Sequence, residues 1–131
     1  MDAIKIISAR LQKYADAKYE IGINRISVFP DSRNGFQVNL ITFGKRYLVQ
    51  FNGWHETFTD VEEAMNCFVF GLSDKCRLRE CRRLGIAYKW TVEHRVGDKW
   101  KQDSTTGLFL YPFWGSLETR YLQNWLISTD A

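Results

Sequence analysis

The stretch Asp74–Gly85, DKCRLRECRRLG, gathers five basic residues and two cysteines into twelve positions. Phosphate binding, metal binding and thiol chemistry all draw on such residues. At about 100° per residue the stretch reads as the end of a helix, with Lys75, Arg79, Arg82 and Arg83 on one arc and Leu78, Cys81 and Leu84 on the inward side. That arc is a basic stripe able to track a phosphate backbone or meet an acidic protein. The helix dipole also favours cations in a last turn, which by itself accounts for Arg82 and Arg83. Arg77 falls toward the core and needs an acid; Glu56 is the candidate for a buried ion pair.

The cysteines do not suggest a metal site. Cys76 and Cys81 lie five apart, outside zinc-knuckle spacing, and diverge by about 140° on a helix. No metal or cofactor is expected. No nucleophile elbow, His-Glu-x-x-His or phosphate-loop motif occurs. His55 and His94 could each serve as a base, but no spacing brings either to a nucleophile, so the chain does not read as an enzyme. Asp103–Gly107, DSTTG, reads as a turn.

The charge is unevenly spread. Residues 1–74 carry 8 basic and 9 acidic side chains, 75–95 carry 7 and 2, and 96–131 carry 3 and 4. One 21-residue segment therefore holds the whole excess of +3. Five Trp, six Tyr and nine Phe imply a sheet-rich core and leave room for an aromatic-lined cavity. The 131 residues suit one domain over 1–131. No run approaches the roughly 20 apolar residues of a membrane span. The N-terminal stretch has no signal-peptide pattern, and three cysteines make no disulfide framework. A cytoplasmic setting without a membrane partner is expected.

The elements that must position these residues follow from periodicity. Ile4, Ile7, Leu11 and Tyr14 predict a helix over 2–19, capped by Asp2. Residues 26–29 read as a short edge strand. Residues 36–43, 46–51 and 54–58 are strands joined by Gly44-Lys45 and Asn52-Gly53, two-residue hairpin loops. Such loops set register: Val38, Leu40, Val49, Phe51, Trp54, Glu56 and Phe58 should share one face. Gln37, Asn39, Gln50 and His55 share the other, a candidate contact surface. Thr59–Glu62 reads as a capping box opening a helix over 61–85, kinked near 71–73. Strands follow over 86–96 and 100–103, the latter after a three-residue loop pairing Val96 with Trp100. A buried strand over 108–114 and a helix over 116–127 complete the chain.

The fold class is therefore α+β, an antiparallel sheet of about five to six strands in the order α-βββ-α-βββ-α, with helices mainly on one face. That order is similar to the class I type III secretion chaperones and to profilin-like folds. No sequence motif of either is present, and no residue role is carried over. The expected function is a non-enzymatic protein-binding module, of the adaptor, chaperone or inhibitor kind, with a protein partner or self-association as a dimer. A nucleic-acid binder using the basic stripe is the alternative, and a small-ligand binder with an aromatic-lined cavity a further one.

Overall fold

A computed structural model describes residues 2–108 and 114–128. Helix α1 spans Ala3–Leu11, with Asp2 accepting from the Lys5 amide, and buries Ala3, Ile7 and Leu11. Five strands follow: β1 Lys18–Gly22, β2 Arg25–Phe29, β3 Val38–Phe43, β4 Arg46–Phe51 and β5 Trp54–Phe58. Helix α2, Val61–Leu72, is capped by Asp60, one residue later than the capping box placed it. Four more strands complete the described chain: β6 Cys76–Arg83, β7 Ile86–Val96, β8 Lys99–Gly107 and β9 Leu117–Leu122.

The class is α+β with antiparallel strands, but in two sheets: β1-β2-β3-β4-β5 and β8-β7-β6-β9. The first contains the predicted meander. Val38 faces Phe51, Leu40 faces Val49, Thr42 faces Tyr47, Phe51 faces Trp54, Val49 faces Glu56 and Tyr47 faces Phe58. The turns that set this register place Gly44 at φ +59° and Asn52 at φ +50°. Helix α2 lies on β3, β4 and β5 and also touches β6, while α1 touches α2 and β2. Val38, Leu40, Val49, Phe51, Phe68, Leu72, Cys76, Leu78 and Val92 form one buried cluster drawing on both sheets.

Packing at two glycines shows how tightly the layers meet. A Cβ on Gly71 of α2 would stand 2.4 Å from the Phe51 ring, and one on Gly53 would stand 2.4 Å from the Trp90 indole. The sheets also join through side chains: Trp54 Nε1 donates to Ser104 Oγ (2.9 Å) and the His55 amide to Thr106 Oγ1 (3.3 Å).

Several expectations are corrected. The first helix ends at Leu11, because no buried apolar residue continues its stripe. Tyr14 is exposed, and the chain turns to lay β1 along β2 as an edge strand. Helix α2 ends at Leu72, and residues 76–83 form a central strand between β7 and β9. Residues 117–122 are a strand and not a helix, because they pair along the other edge of β6. The β7–β8 loop has two residues, so Arg95, not Val96, faces Trp100, and β8 runs on through the presumed DSTTG turn. Among the described residues the order is thus one helix, five strands, one helix and four strands. Most of the predicted strand over 108–114 lies outside the described residues. No helix among the described residues is long and apolar enough to cross a membrane.

Candidate interaction face on the four-stranded sheet

In a strand, alternate side chains point to opposite faces. Cys76, Leu78 and Glu80 of β6 therefore point inward, while Arg77, Arg79 and Cys81 point outward. This dissolves the basic stripe. Lys75 is exposed ahead of the strand, Arg79 sits on the outer face, and Arg82 and Arg83 turn to local acceptors. Glu80 is buried, its Oε1 accepting from Arg82 Nη1 (2.6 Å) and its Oε2 from Trp90 Nε1 (3.1 Å).

Arg77 is the centre of the outer face. Its guanidinium lies 4.6 Å from the Trp100 ring centre and 4.2 Å from that of Tyr121. Its acid is Glu93, directly opposite on β7, with Nη2 and Nε at 2.6 and 2.8 Å from Oε1. Glu56 is exposed on β5, in the other sheet, so the expected Arg77–Glu56 pair does not form. Arg79 Nη1 approaches Glu93 Oε2 at 3.5 Å, and with the Gln102 amide assigned oxygen-inward it donates there as well. Glu93 is only 4% exposed, so two arginines hold a carboxylate withdrawn from water. Stacking against two rings adds to the attraction and fixes the guanidinium plane.

Farther along the same face the surface becomes apolar. Arg83 pairs with Ile86 on one side and Leu117 on the other. Leu84 packs near Gly115, where a Cβ would stand 3.0 Å from Leu84 Cδ2. Leu84, Ile86, Trp114 and Leu117 are 58%, 51%, 59% and 52% exposed. Leu84 also takes φ +52°, the left-handed region that costs an ordinary L-residue about 1–2 kcal/mol. Arg82 Nη2 donates to the Gly85 carbonyl and Arg83 Nη1 to that of Gly115, both at 2.7 Å. The paired arginines thus brace the two turns that display Leu84 and Trp114.

Gln37, Asn39, Gln50 and His55 do share the outer face of the five-stranded sheet. Gln37 Nε2 donates to Asn39 Oδ1 (2.9 Å) and Asn39 Nδ2 to Gln50 Oε1 (3.3 Å), with His55 opposite Gln50. The amides largely satisfy one another.

His94 Nδ1 lies 2.7 Å from Asp103 Oδ1. Burial pushes the nearby Cys67 thiol up to about 12, with further push from the Glu56 and Asp103 carboxylates. The raised thiol favours the protonated form, the less reactive one. Burial also raises Cys76, which opposes His94 on β7. Cys76 and Cys81 occupy opposite faces of β6, and no group of three or more metal-ligating side chains is placed to hold an ion among the described residues. Replacing Glu56 with glutamine removes one of the raising charges, so alkylation of Cys67 by iodoacetamide at pH 8 should run faster than in the wild type. An unchanged rate, followed by peptide mass spectrometry, would show that Glu56 does not act on the thiol.

Glu93, Trp100, Tyr121 and the Leu84 corner were not singled out from the sequence. The signal available for Glu93 was the period-two alternation shared by CRLREC and KWTVEHR, two antiparallel partners. No protein-family model, curated protein or solved structure matches this chain.

Proposed function

We propose that the chain is a non-enzymatic protein-binding module that engages another protein, or a second copy of itself, through the outer face of the four-stranded sheet. One observation carries this reading: four large apolar side chains, each more than half exposed, meet at one corner, with two arginines bracing the turns that present them. Exposed apolar patches on globular proteins mark interaction sites. Trp, Tyr and Arg, the residues stacked farther along the face, are the types that dominate binding energy at protein interfaces. A phosphate-tracking role has less support, because Arg77, Arg79, Arg82 and Arg83 all engage internal acceptors.

A photo-crosslinking residue placed at Leu117 tests the reading, with Lys45 on the other sheet as the control position. Leu117 should yield a discrete protein adduct in cells producing the variant, and Lys45 should not. Sedimentation equilibrium then separates a second copy from a different protein. Equal labelling from both positions, or none from Leu117, would remove the proposal. Leu84→Asn should abolish the adduct while raising fold stability by up to about 1 kcal/mol, since Asn tolerates the left-handed conformation that strains leucine. Urea unfolding measures that second effect. A destabilised Leu84→Asn variant would mean that the leucine contributes packing to the fold.

A further inference from the structure

Where β5, α2 and β8 meet, a cleft of about 380 Å³ opens between the two sheets. This is the size range of small-molecule sites. Trp54, Phe58 and Phe70 provide aromatic wall, and Glu56 and Asp103 stand in the same lining. No lysine or arginine lines it among the described residues. This cleft is separate from the outer face of the four-stranded sheet, and its acids have no part in the Arg77 cluster.

The backbone turns Asp103 toward this space. Across β7 and β8 the register passes from Val92↔Ser104 to Glu93↔Gln102, leaving Asp103 as the extra residue of a bulge. Bulges re-aim side chains in this way and are over-represented beside functional sites. Trp54 is held from the other side, its indole N–H bonded to Ser104 and its ring stacked on Phe51 at 4.6 Å. Glu56 projects from β5 two residues beyond Trp54 and so on the same side of the strand. It was the one acid in the apolar pattern of the meander, and the cleft is where that irregularity leads. Cys67 lines the same cleft, and its thiol is raised first by burial and then by the Glu56 and Asp103 carboxylates.

We propose that the cleft binds an organic cation, an alkylammonium or guanidinium group. Its aromatic walls would take the apolar part and π contact, Glu56 would balance the charge, and Asp103, whose Oδ1 also meets His94 Nδ1 at 2.7 Å, would add to it. Carboxylates beside aromatic faces suit a cation and disfavour an anion or a neutral alcohol of the same shape. The cation is either a free amine or the side chain of a basic peptide.

The test follows the Trp54 indole N–H signal by NMR while the intact protein is titrated with n-butylammonium, with n-butanol, and with a capped Gly-Lys-Gly peptide. A saturable shift with n-butylammonium is expected, with n-butanol about tenfold weaker or more. Glu56→Gln should weaken the amine about three- to tenfold, and Glu56→Gln with Asp103→Asn should weaken it further, with circular dichroism showing each variant folded. Tighter binding of the peptide would assign a peptide side chain as the source, and tighter binding of n-butylammonium a free amine. No saturable shift, equal binding of alcohol and amine, or undiminished binding by the folded double variant would each overturn the proposal.

Discussion

Replacing Asn124 with leucine should cost about 3–6 kcal/mol of folding free energy, close to the whole stability of a small domain. The side chain is 7% exposed and makes three buried hydrogen bonds. Its Oδ1 accepts from the Phe36 amide (3.1 Å), and its Nδ2 donates to the carbonyls of Phe36 (3.0 Å) and Gly71 (2.9 Å). Leucine has similar volume, so it fills the site and leaves those three backbone groups with no partner. Each unsatisfied buried group costs about 1–3 kcal/mol. The neighbouring bonds depend on the same anchor: the Gln123 amide donates to Asn34 (2.7 Å), Gln123 Nε2 to the Asp74 carbonyl (2.8 Å), and the Ile127 amide to Leu72 (3.1 Å). Together they tie the chain after β9 to the loop before β3 and the end of α2. Urea unfolding of Asn124→Leu measures the loss. A shift below about 1 kcal/mol would mean that this segment is not held as described.

The same anchoring bears on the candidate face, because β9 carries Leu117 and Tyr121. If the segment after Leu122 comes free, β9 loses a fixed end and the Tyr121 side of the Arg77 stack loosens. Asn124→Leu, assayed well below its unfolding midpoint, should therefore also weaken the Leu117 photo-adduct. The fold and the proposed interaction share one support.

How much of this was readable from the sequence depended on whether the determining interaction was local. The meander was readable because Gly44-Lys45 and Asn52-Gly53 are short, chemically marked loops, and each fixes the register of strands immediately beside it. Residues 76–83 were not. Leu78, Cys81 and Leu84 satisfy a helical spacing, and arginine has good helix propensity, so local preference and pattern pointed to a helix. What places the segment in a sheet is pairing with β7 on one side and with β9, some forty residues later, on the other. Leu117, Tyr121, Leu122 and Trp125 likewise lie at helical offsets, and tertiary pairing overrides them. The cluster around Arg77 inherited both errors, and a third from the β7–β8 loop. Only with a two-residue loop and a strand at 117–122 do Trp100 and Tyr121 both reach one guanidinium. Glu56 shows the converse. Its place in the register was right, but an inner-face position at the end of a sheet opened onto a cleft and not into the core.

Arg77 and Glu93 should behave as a strongly coupled pair. Arg77→Met leaves Glu93, 4% exposed, with Arg79 at 3.5 Å as its remaining ion-pair contact, and should cost about 3 kcal/mol. Glu93→Leu leaves two arginines facing each other without their carboxylate and should cost about as much. The double replacement removes both charges of the pair but still leaves Arg79 without its carboxylate, so its stability should fall within about 2 kcal/mol of the wild type. The double-mutant cycle, read by urea unfolding, then gives a coupling of roughly 4 kcal/mol, and simple additivity of the two losses would exclude the pairing. If Arg77 is held between two rings for binding and not for stability, the double variant should fold normally yet lose much of the Leu117 photo-adduct. An undiminished adduct would confine the interaction to the Leu84 corner. The outcome bears on why a buried ion pair is kept where apolar residues would hold the fold as well: the carboxylate and the two rings fix one guanidinium at a partly exposed position, with its entropy largely lost before any partner arrives.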